Sequence, residues 1–340
     1  MAELPRELSE AVDRLLQAVS TRDLARASAE LSVQYREKRE RRAPVARSAP
    51  AVLAYAATRL PATYAAVTAA LSAVHDLRPD WQPRTLLDLG AGPGTSIWAA
   101  SAIWPALERA VAVEAEPRMI ALGQDLAGTA SHTAVRTTRW VRSDIADRPP
   151  DGPYDLVILA YVLGELDAPG EDLAIAHAAA ATATPAGLTI VVEPGTPEGH
   201  ARVLRARDHL VQRGGFVTAP CPHNRPCPIV SPDWCHFAVR LSRTAAHRAA
   251  KLADLGYEDE KFSYVAVARQ PTPQADARVL RHPQTRPRLV RLELCTPDDL
   301  QSLVVTKGDR EQFRLARKVR WGDRFDYTET DHATEVPRAP

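Results

Sequence analysis

From Arg84 onward, short β-branched runs alternate with helix-like stretches: TLLDLG, AVAVEAE, RWVRSDI, YDLVILAYV and GLTIVVEP are the runs. Strands this apolar need both faces covered, and helices crossing between parallel neighbours supply that cover. An α/β fold on a parallel sheet is therefore predicted. KFSYVAVARQ predicts one further strand and RLVRLELC another. Ahead of the alternation, residues 4–80 read as helical, because LSEAVDRLLQAVS and VLAYAATRLPATYAAVTAALSAV repeat apolar positions at intervals of three and four. Between the fifth strand and the later ones, Gly214 to Phe237 is rich in Pro, Cys and His and too irregular for helix or strand, so something besides a hydrophobic core must hold it. The expected organisation is a helical region over 1–80, a sheet-based core over 81–270 with a Cys-rich insertion at about 214–237, and a basic extension over 271–340 whose tail frays after Tyr327.

The 340 residues include 43 Lys or Arg and 42 Asp or Glu, a net charge of +1. That balance excludes a uniformly basic nucleic-acid coat protein but not local patches. Val33 to Ser48 holds six basic residues against two acidic ones, which reads first as a solvated face. Ala275 to Arg324 holds twelve against seven. There Arg314, Arg317, Lys318, Arg320 and Arg324, interleaved with Trp321 and Phe325, suit phosphate contact and base stacking; a solvated basic helix is the plain alternative. An RNA partner is expected, and DNA is not. No apolar run approaches the ~20 residues that span a bilayer, so no membrane partner is expected. The amino terminus, MAELPRELSEAVDRL, is too acidic for a secretory or organellar leader and predicts a cytoplasmic protein.

The segment LLDLGAGPGT ends a strand and opens a helix, with Gly90, Gly92 and Gly94 allowing a tight turn and close approach of a ligand. A dinucleotide fingerprint spaces its glycines as GxGxxG. Here the spacing is GxGxG, with Asp88 just before the loop and Pro93 inside it, and this resembles motif I of the class I S-adenosylmethionine methyltransferases. The next strand ends at Glu114, where a carboxylate can accept from both ribose hydroxyls. After the third strand, Asp144 stands where this fold commonly puts a carboxylate near the adenine amine. S-adenosylmethionine is the expected cofactor; the plain alternative is a Gly-rich turn that binds nothing.

Three of the four cysteines, Cys221, Cys227 and Cys235, fall within APCPHNRPCPIVSPDWCHF, and Cys295 ends RLVRLELC. The intervals are longer than those of the usual zinc knuckles. Two Cys-Pro steps echo bacterial ferredoxins, in which four thiolates hold an iron-sulfur cluster. A tetrathiolate site using Cys221, Cys227, Cys235 and Cys295 would staple the irregular insertion to a distant strand. Zinc, with His223 or His236 replacing a thiolate, is the alternative metal; free buried thiols and disulfides are the alternatives without one.

Together these features resemble the methyltransferase-like proteins associated with the mitochondrial small ribosomal subunit, whose bacterial relatives share the layout. The resemblance runs from Leu53 to Asp323 through LLDLGAGPGTSIWAA, YVLGEL, VVEPGTPEGH, RARDHL, the Cys segment, YEDEKFSYVA and ARKVRWGD. It implies a class I methyltransferase fold, a [4Fe-4S] cluster on the four cysteines, and a role in small-subunit assembly or translation on rRNA. It departs at the amino terminus, which lacks a mitochondrial leader and points to a bacterial-type cytoplasmic member.

Whether methyl transfer occurs is left open by the residues. After the fourth strand stands Ala160-Tyr-Val-Leu-Gly-Glu165 in place of an Asn/Asp-Pro-Pro-aromatic tetrapeptide, no lysine lies between Lys38 and Lys251, and a cluster would occupy every thiolate that could attack a pyrimidine. Tyr161 and Glu165 are the pocket candidates. Three functions follow: an assembly factor that binds S-adenosylmethionine and a cluster and docks on rRNA, an active rRNA methyltransferase, and a small-molecule methyltransferase.

Overall fold

The computed structural model describes residues 2–17, 19–37 and 48–326. Three helices come first, α1 (Arg6–Leu16), α2 (Thr21–Glu37) and α3 (Ala49–Leu77). The last is rich in Ala and Leu, the strongest helix formers. It starts where the Ser48 hydroxyl accepts from the Ala51 amide at 3.3 Å and stops before Arg78-Pro79, where the proline disfavours helical geometry in the residue ahead of it. Most of its length is buried.

The alternating part follows as β1 (Thr85–Leu89), α4 (Thr95–Ile103), β2 (Arg109–Glu114), α5 (Pro117–Ala127), α6 (Thr133–Arg136), β3 (Arg139–Arg142), β4 (Leu156–Ala160), α7 (Ala168–Ala181), β5 (Leu188–Pro194) and α8 (Pro197–Gln212). The chain continues through β6 (Phe216–Ala219), β7 (Phe237–Ser242), α9 (Ala245–Lys251) and β8 (Tyr257–Ala268), then β9 (Arg278–Val279), β10 (Gln284–Arg286), β11 (Leu289–Cys295), β12 (Leu300–Thr306) and α10 (Arg310–Ala316).

Among the described residues the main sheet has the order β3-β2-β1-β4-β5-β8-β6, with β7 also pairing β8. Strands β1 to β5 are mutually parallel, with Leu87 opposite Val111 on one side and Val157 on the other; β8 runs antiparallel to β5, β6 and β7. Five parallel strands followed by an antiparallel strand inserted ahead of the last give the class I methyltransferase fold. Asp155 ties its centre together, accepting at one carboxylate oxygen from the Arg84 amide at 2.9 Å and from the Thr85 amide and hydroxyl at 3.0 Å each.

One face of the sheet packs Ile158, Ile190 and Ala266 under Leu60, Ile97 and Leu122, and the same core takes in Leu8 and Leu24. The first three helices and the sheet thus share one interior. The other face packs Val157, Val191 and Val265 under Ile175 and Val203.

Two later runs fall differently from a simple continuation of the parallel sheet. KFSYVAVARQ enters it antiparallel as β8, while RLVRLELC forms β11 in a separate small sheet with β9, β10 and β12. That sheet closes its own core with Phe313 and Phe325. The stretch from Gly214 to Phe237 also opens with strand β6, because Phe-Val-Thr suits a pleated surface and β8 offers it an edge; residues 220–236 contain no helix or strand. The basic run of Val33 to Ser48 lies mostly, and the tail from Tyr327 wholly, outside the described residues.

Candidate functional site

The loop after β1 takes the form that its glycines permit: Gly90, Gly92 and Gly94 have φ of 73°, 53° and 78°. A Cβ on Gly90 would sit 2.3 Å from Val162 Cγ2, whereas on Gly92 it would meet only the Tyr55 hydroxyl, at 3.5 Å. Glu114, at the end of β2, braces the loop. One of its oxygens accepts from the Gly92 amide and the other from the Glu116 amide, each at 2.8 Å. Burial raises this carboxyl above its ordinary range, and the backbone donors oppose the rise. Asp88 lies beneath the loop, 0 % exposed, and neither carboxylate oxygen accepts a hydrogen bond of ordinary geometry, Ser96 being only a weak neighbour. Burial pushes it up to about 7, with Ser96 pulling the other way. Asp144 is exposed after β3 and accepts from the Ala146 amide at 2.9 Å.

Beyond β4 stands Tyr161, at φ 58°, a left-handed conformation rare for a bulky residue. Its hydroxyl donates to Glu260 of β8 at 3.0 Å. Glu165 ends a short 3₁₀ turn, Leu163–Glu165, and is exposed, yet its charge reaches both Glu114 and Tyr55. Glu193, at the end of β5, accepts from the Leu163 amide at 3.0 Å and faces Arg202 at 3.5 Å. Burial pushes it up to about 7, against the pull of Arg202. Sequence reasoning missed Tyr55, Glu193 and Glu260. A lone acid inside the apolar run TIVVEPG was the one available signal for Glu193.

The second constellation is a cavity lined by Cys221, Cys227, Cys235 and Cys295 together with His223, Arg207 and Arg278. The distant Cys295 therefore meets the other three: it packs with Cys227 and Cys235 against Ile229 and Leu280. The surrounding loop is held by polar ties to its neighbours. Asn224 accepts from the Val217 amide at 2.7 Å, the Trp234 indole donates to Gly195 O at 3.0 Å, and the Ser263 hydroxyl donates to Cys235 O at 2.7 Å.

All four cysteines are free. Burial pushes each thiol up, Cys295 to about 12, so as they stand they are neutral thiols packed like small apolar groups. Among the described residues, no group of three or more His, Cys, Asp or Glu is set to hold a metal ion. His223 Nε2 lies 3.6 Å from Cys295 Sγ. His236 is engaged elsewhere, stacked on Trp234 with ring centroids 5.0 Å apart and edge-on to Trp321 at 4.8 Å.

On the basic extension, Arg314, Arg317, Lys318, Arg320 and Arg324 are exposed. Trp321 is half-buried, against His236 and His282. Phe325 cannot stack on a base as expected, because it is 1 % exposed within the core of the small sheet. Among the described residues no helix is long and apolar enough to cross a membrane.

Comparison with known proteins adds the family. The human "Ribosome assembly protein METTL17, mitochondrial" is 31% identical over 287 residues, covering 80% of this chain and 61% of that protein. The "Rsm22-cox11 tandem protein 2, mitochondrial" of Schizosaccharomyces pombe is 25% identical over 330 residues, covering 81% of this chain and 43% of that protein. The chain thus spans less than two thirds of the length of these relatives. Similar solved structures include N-methyltransferase NodS from Bradyrhizobium japonicum in complex with S-adenosyl-L-homocysteine (13% identity, 59% of this chain and 85% of that one, TM-score 0.39) and magnesium protoporphyrin IX methyltransferase from Synechocystis with bound S-adenosyl-L-homocysteine (11%, 61% and 84%, 0.40).

The mitochondrial relatives overturn the cytoplasmic assignment drawn from the amino terminus. The physical reason is visible in α1, where Leu8, Ala11, Val12 and Leu16 are buried in the shared core. The composition of this segment answers to packing, and it carries no reliable mark of a compartment. The family model described as "Mitochondrial small ribosomal subunit Rsm22" matches residues 49–326, most of the chain, and the chain belongs to that family.

Proposed function

We propose that this chain is a small-ribosomal-subunit assembly factor that docks on rRNA, binds S-adenosylmethionine at the glycine loop and carries a [4Fe-4S] cluster on Cys221, Cys227, Cys235 and Cys295. The observation that carries the proposal is the meeting of Cys295, from a separate sheet, with three loop cysteines in one cavity. The donor set fits the cluster: four free thiols, Cys295 buried and the other three half-buried, border one space. When bound, a cluster supplies a tetrathiolate cross-link. Cys221, Cys227 and Cys235 then fix the loop, and Cys295 fixes the small sheet and its exposed arginines to the main fold. Zinc on three of the thiols and His223 is the competing occupant, because His223 lies 3.6 Å from Cys295, but holding a single ion would require these side chains to draw together.

Asp88 supports the cofactor assignment. A buried carboxyl under a glycine loop, met within the protein only weakly by Ser96, keeps acceptor capacity for the ammonium of the methionine moiety. Glu114 retains lone pairs for the ribose hydroxyls beyond those taken by Gly92 and Glu116, and Asp144 stands on the adenine side. The assembly role draws on the name of the human relative, and the rRNA contact on the exposed arginines of the carboxy-terminal extension.

A second reading, an active rRNA methyltransferase, is favoured by the strained Tyr161 and its bond to Glu260 at the mouth of the cofactor loop, with Glu165 close by. The test uses the anaerobically purified full chain, assayed for iron, sulfide and zinc and sedimented with small subunits. The proposal expects four irons and four sulfides per chain and co-sedimentation. Zinc without sulfide would remove the cluster, and failure to co-sediment would remove the assembly role. An rRNA nucleotide whose methylation disappears on deletion of the gene would replace the first reading with the second.

A further inference from the structure

Two arginines on the thiol cavity are buried almost completely, Arg207 of α8 at 2 % exposure and Arg278 of β9 at 4 %. Arg207 donates to Asp208 Oδ1 at 2.9 Å, to His223 O at 3.3 Å and to Arg225 O. Its Nε is buried with no hydrogen-bond partner. Arg278 donates to Pro220 O at 2.9 Å and Gly322 O at 2.9 Å, and among the described residues no carboxylate forms a salt bridge with it. Among the described residues the one acid paired with either is Asp208, itself 55 % exposed.

A buried cation without a matching anion is costly, and backbone carbonyls compensate it only as dipoles. Both guanidiniums line the same cavity as the four sulfurs of Cys221, Cys227, Cys235 and Cys295. Four thiolates outweigh the positive charge of the iron-sulfide core they hold, so a cluster here is a net anion in both redox states.

We infer that Arg207 and Arg278 are positioning residues for this centre, held by backbone carbonyls so that their two charges offset an anionic iron-sulfur cluster. The inference rests on the cluster reading above and deepens it. Neither residue touches iron; each acts through the field at the sulfurs, and removing one charge disfavours the more negative, reduced form of the cluster.

The experiment reconstitutes the full chain anaerobically with ferrous iron and sulfide, then measures iron retention against a chelator and the midpoint potential by spin-resonance titration with dithionite. Arg207→Gln and Arg278→Gln are each expected to lose iron about tenfold faster and to weaken the reduced state about tenfold, a drop of about 59 mV. Arg278→Lys, which keeps the charge, is expected to stay near the parent potential.

Asp208→Asn, an exposed change that leaves packing alone, frees Arg207 of its counter-ion and is expected to raise the potential, by about twofold in the equilibrium. It serves where a Gln variant does not fold. Gln variants with full iron and an unchanged potential would overturn the arginine assignment, as would an unchanged or lowered potential in Asp208→Asn. Zinc or absent sulfide in the parent protein would overturn the cluster reading itself.

Discussion

Replacing Gly90 and Gly92 separately by Ala distinguishes two reasons for a glycine. Both positions are left-handed, which costs an L-residue about 1–2 kcal/mol. They differ in space. At Gly90 the new methyl would lie 2.3 Å from Val162 Cγ2 and 2.8 Å from Val162 Cβ, and because Cβ is fixed by the backbone no side-chain rotation relieves the clash. Overpacking of this kind adds about 1–3 kcal/mol, so Gly90→Ala is expected to lose about 2–5 kcal/mol in all. At Gly92 the nearest atom is the Tyr55 hydroxyl at 3.5 Å, an ordinary contact, and only the about 1–2 kcal/mol backbone cost remains. Urea denaturation of both variants gives the comparison, and calorimetric titration with S-adenosylmethionine gives the second axis. Gly92→Ala is expected to stay folded and to bind at least tenfold more weakly, since its methyl intrudes where a ligand approaches the loop. Equal stability losses in the two variants, or unchanged affinity in Gly92→Ala, would refute the reasoning.

Asp88 makes stability depend on pH. Its folded carboxyl lies near 7, above the ordinary carboxylate range, so between about pH 4 and 7 the native state holds a proton that the unfolded chain has lost. Its contribution is complete at the acid end and falls as pH rises toward 7; Asp88→Asn is expected to flatten this slope in denaturant titrations, and an unaltered slope would count against it. Glu258 works in the opposite sense. Burial alone would raise it, but hydrogen bonds from His247 at 3.1 Å and Lys251 at 2.5 Å hold it below the usual range. Removing it leaves a buried His247, so Glu258→Ala is expected to cost about 2 kcal/mol, read as a lowered melting temperature. Arg240 and Asp259 form a two-pronged pair at 2.7 and 2.8 Å, but both are exposed; Asp259→Ala is expected to change stability by under about 1 kcal/mol. Cys295→Ser is expected to lower iron retention and to raise proteolysis between 220 and 236, with an unchanged digest as the opposing result.

The sequence signals that worked were local ones. Apolar runs set five parallel strands, and the spacing of three glycines after Leu89 set the turn, because both depend on a few neighbouring residues. What could not be read depends on pairing across the chain. Glu260 joins Tyr161 only because β8 inserts antiparallel beside β5, and no nearby residue announces that choice. Tyr55 reaches the loop from the first helical region for the same reason. Arg207 lies in a helix that reads as an ordinary charged one, and its burial follows from the loop folded over it. Phe325 was misplaced because an aromatic next to arginines looks alike whether it faces solvent or a core.

Strand β8 has a mechanical consequence. Glu260 and Ser263 are an odd number of positions apart and so project from opposite sides of one pleated ribbon. One reaches the tyrosine above the cofactor loop, and the other grips the carbonyl of a cysteine in the thiol cavity. A single inserted or deleted residue between them would turn one side chain to the wrong side while leaving the other in place. The two pockets are therefore geared to each other, and evolution could vary the length of almost any neighbouring loop more freely than those few residues of strand.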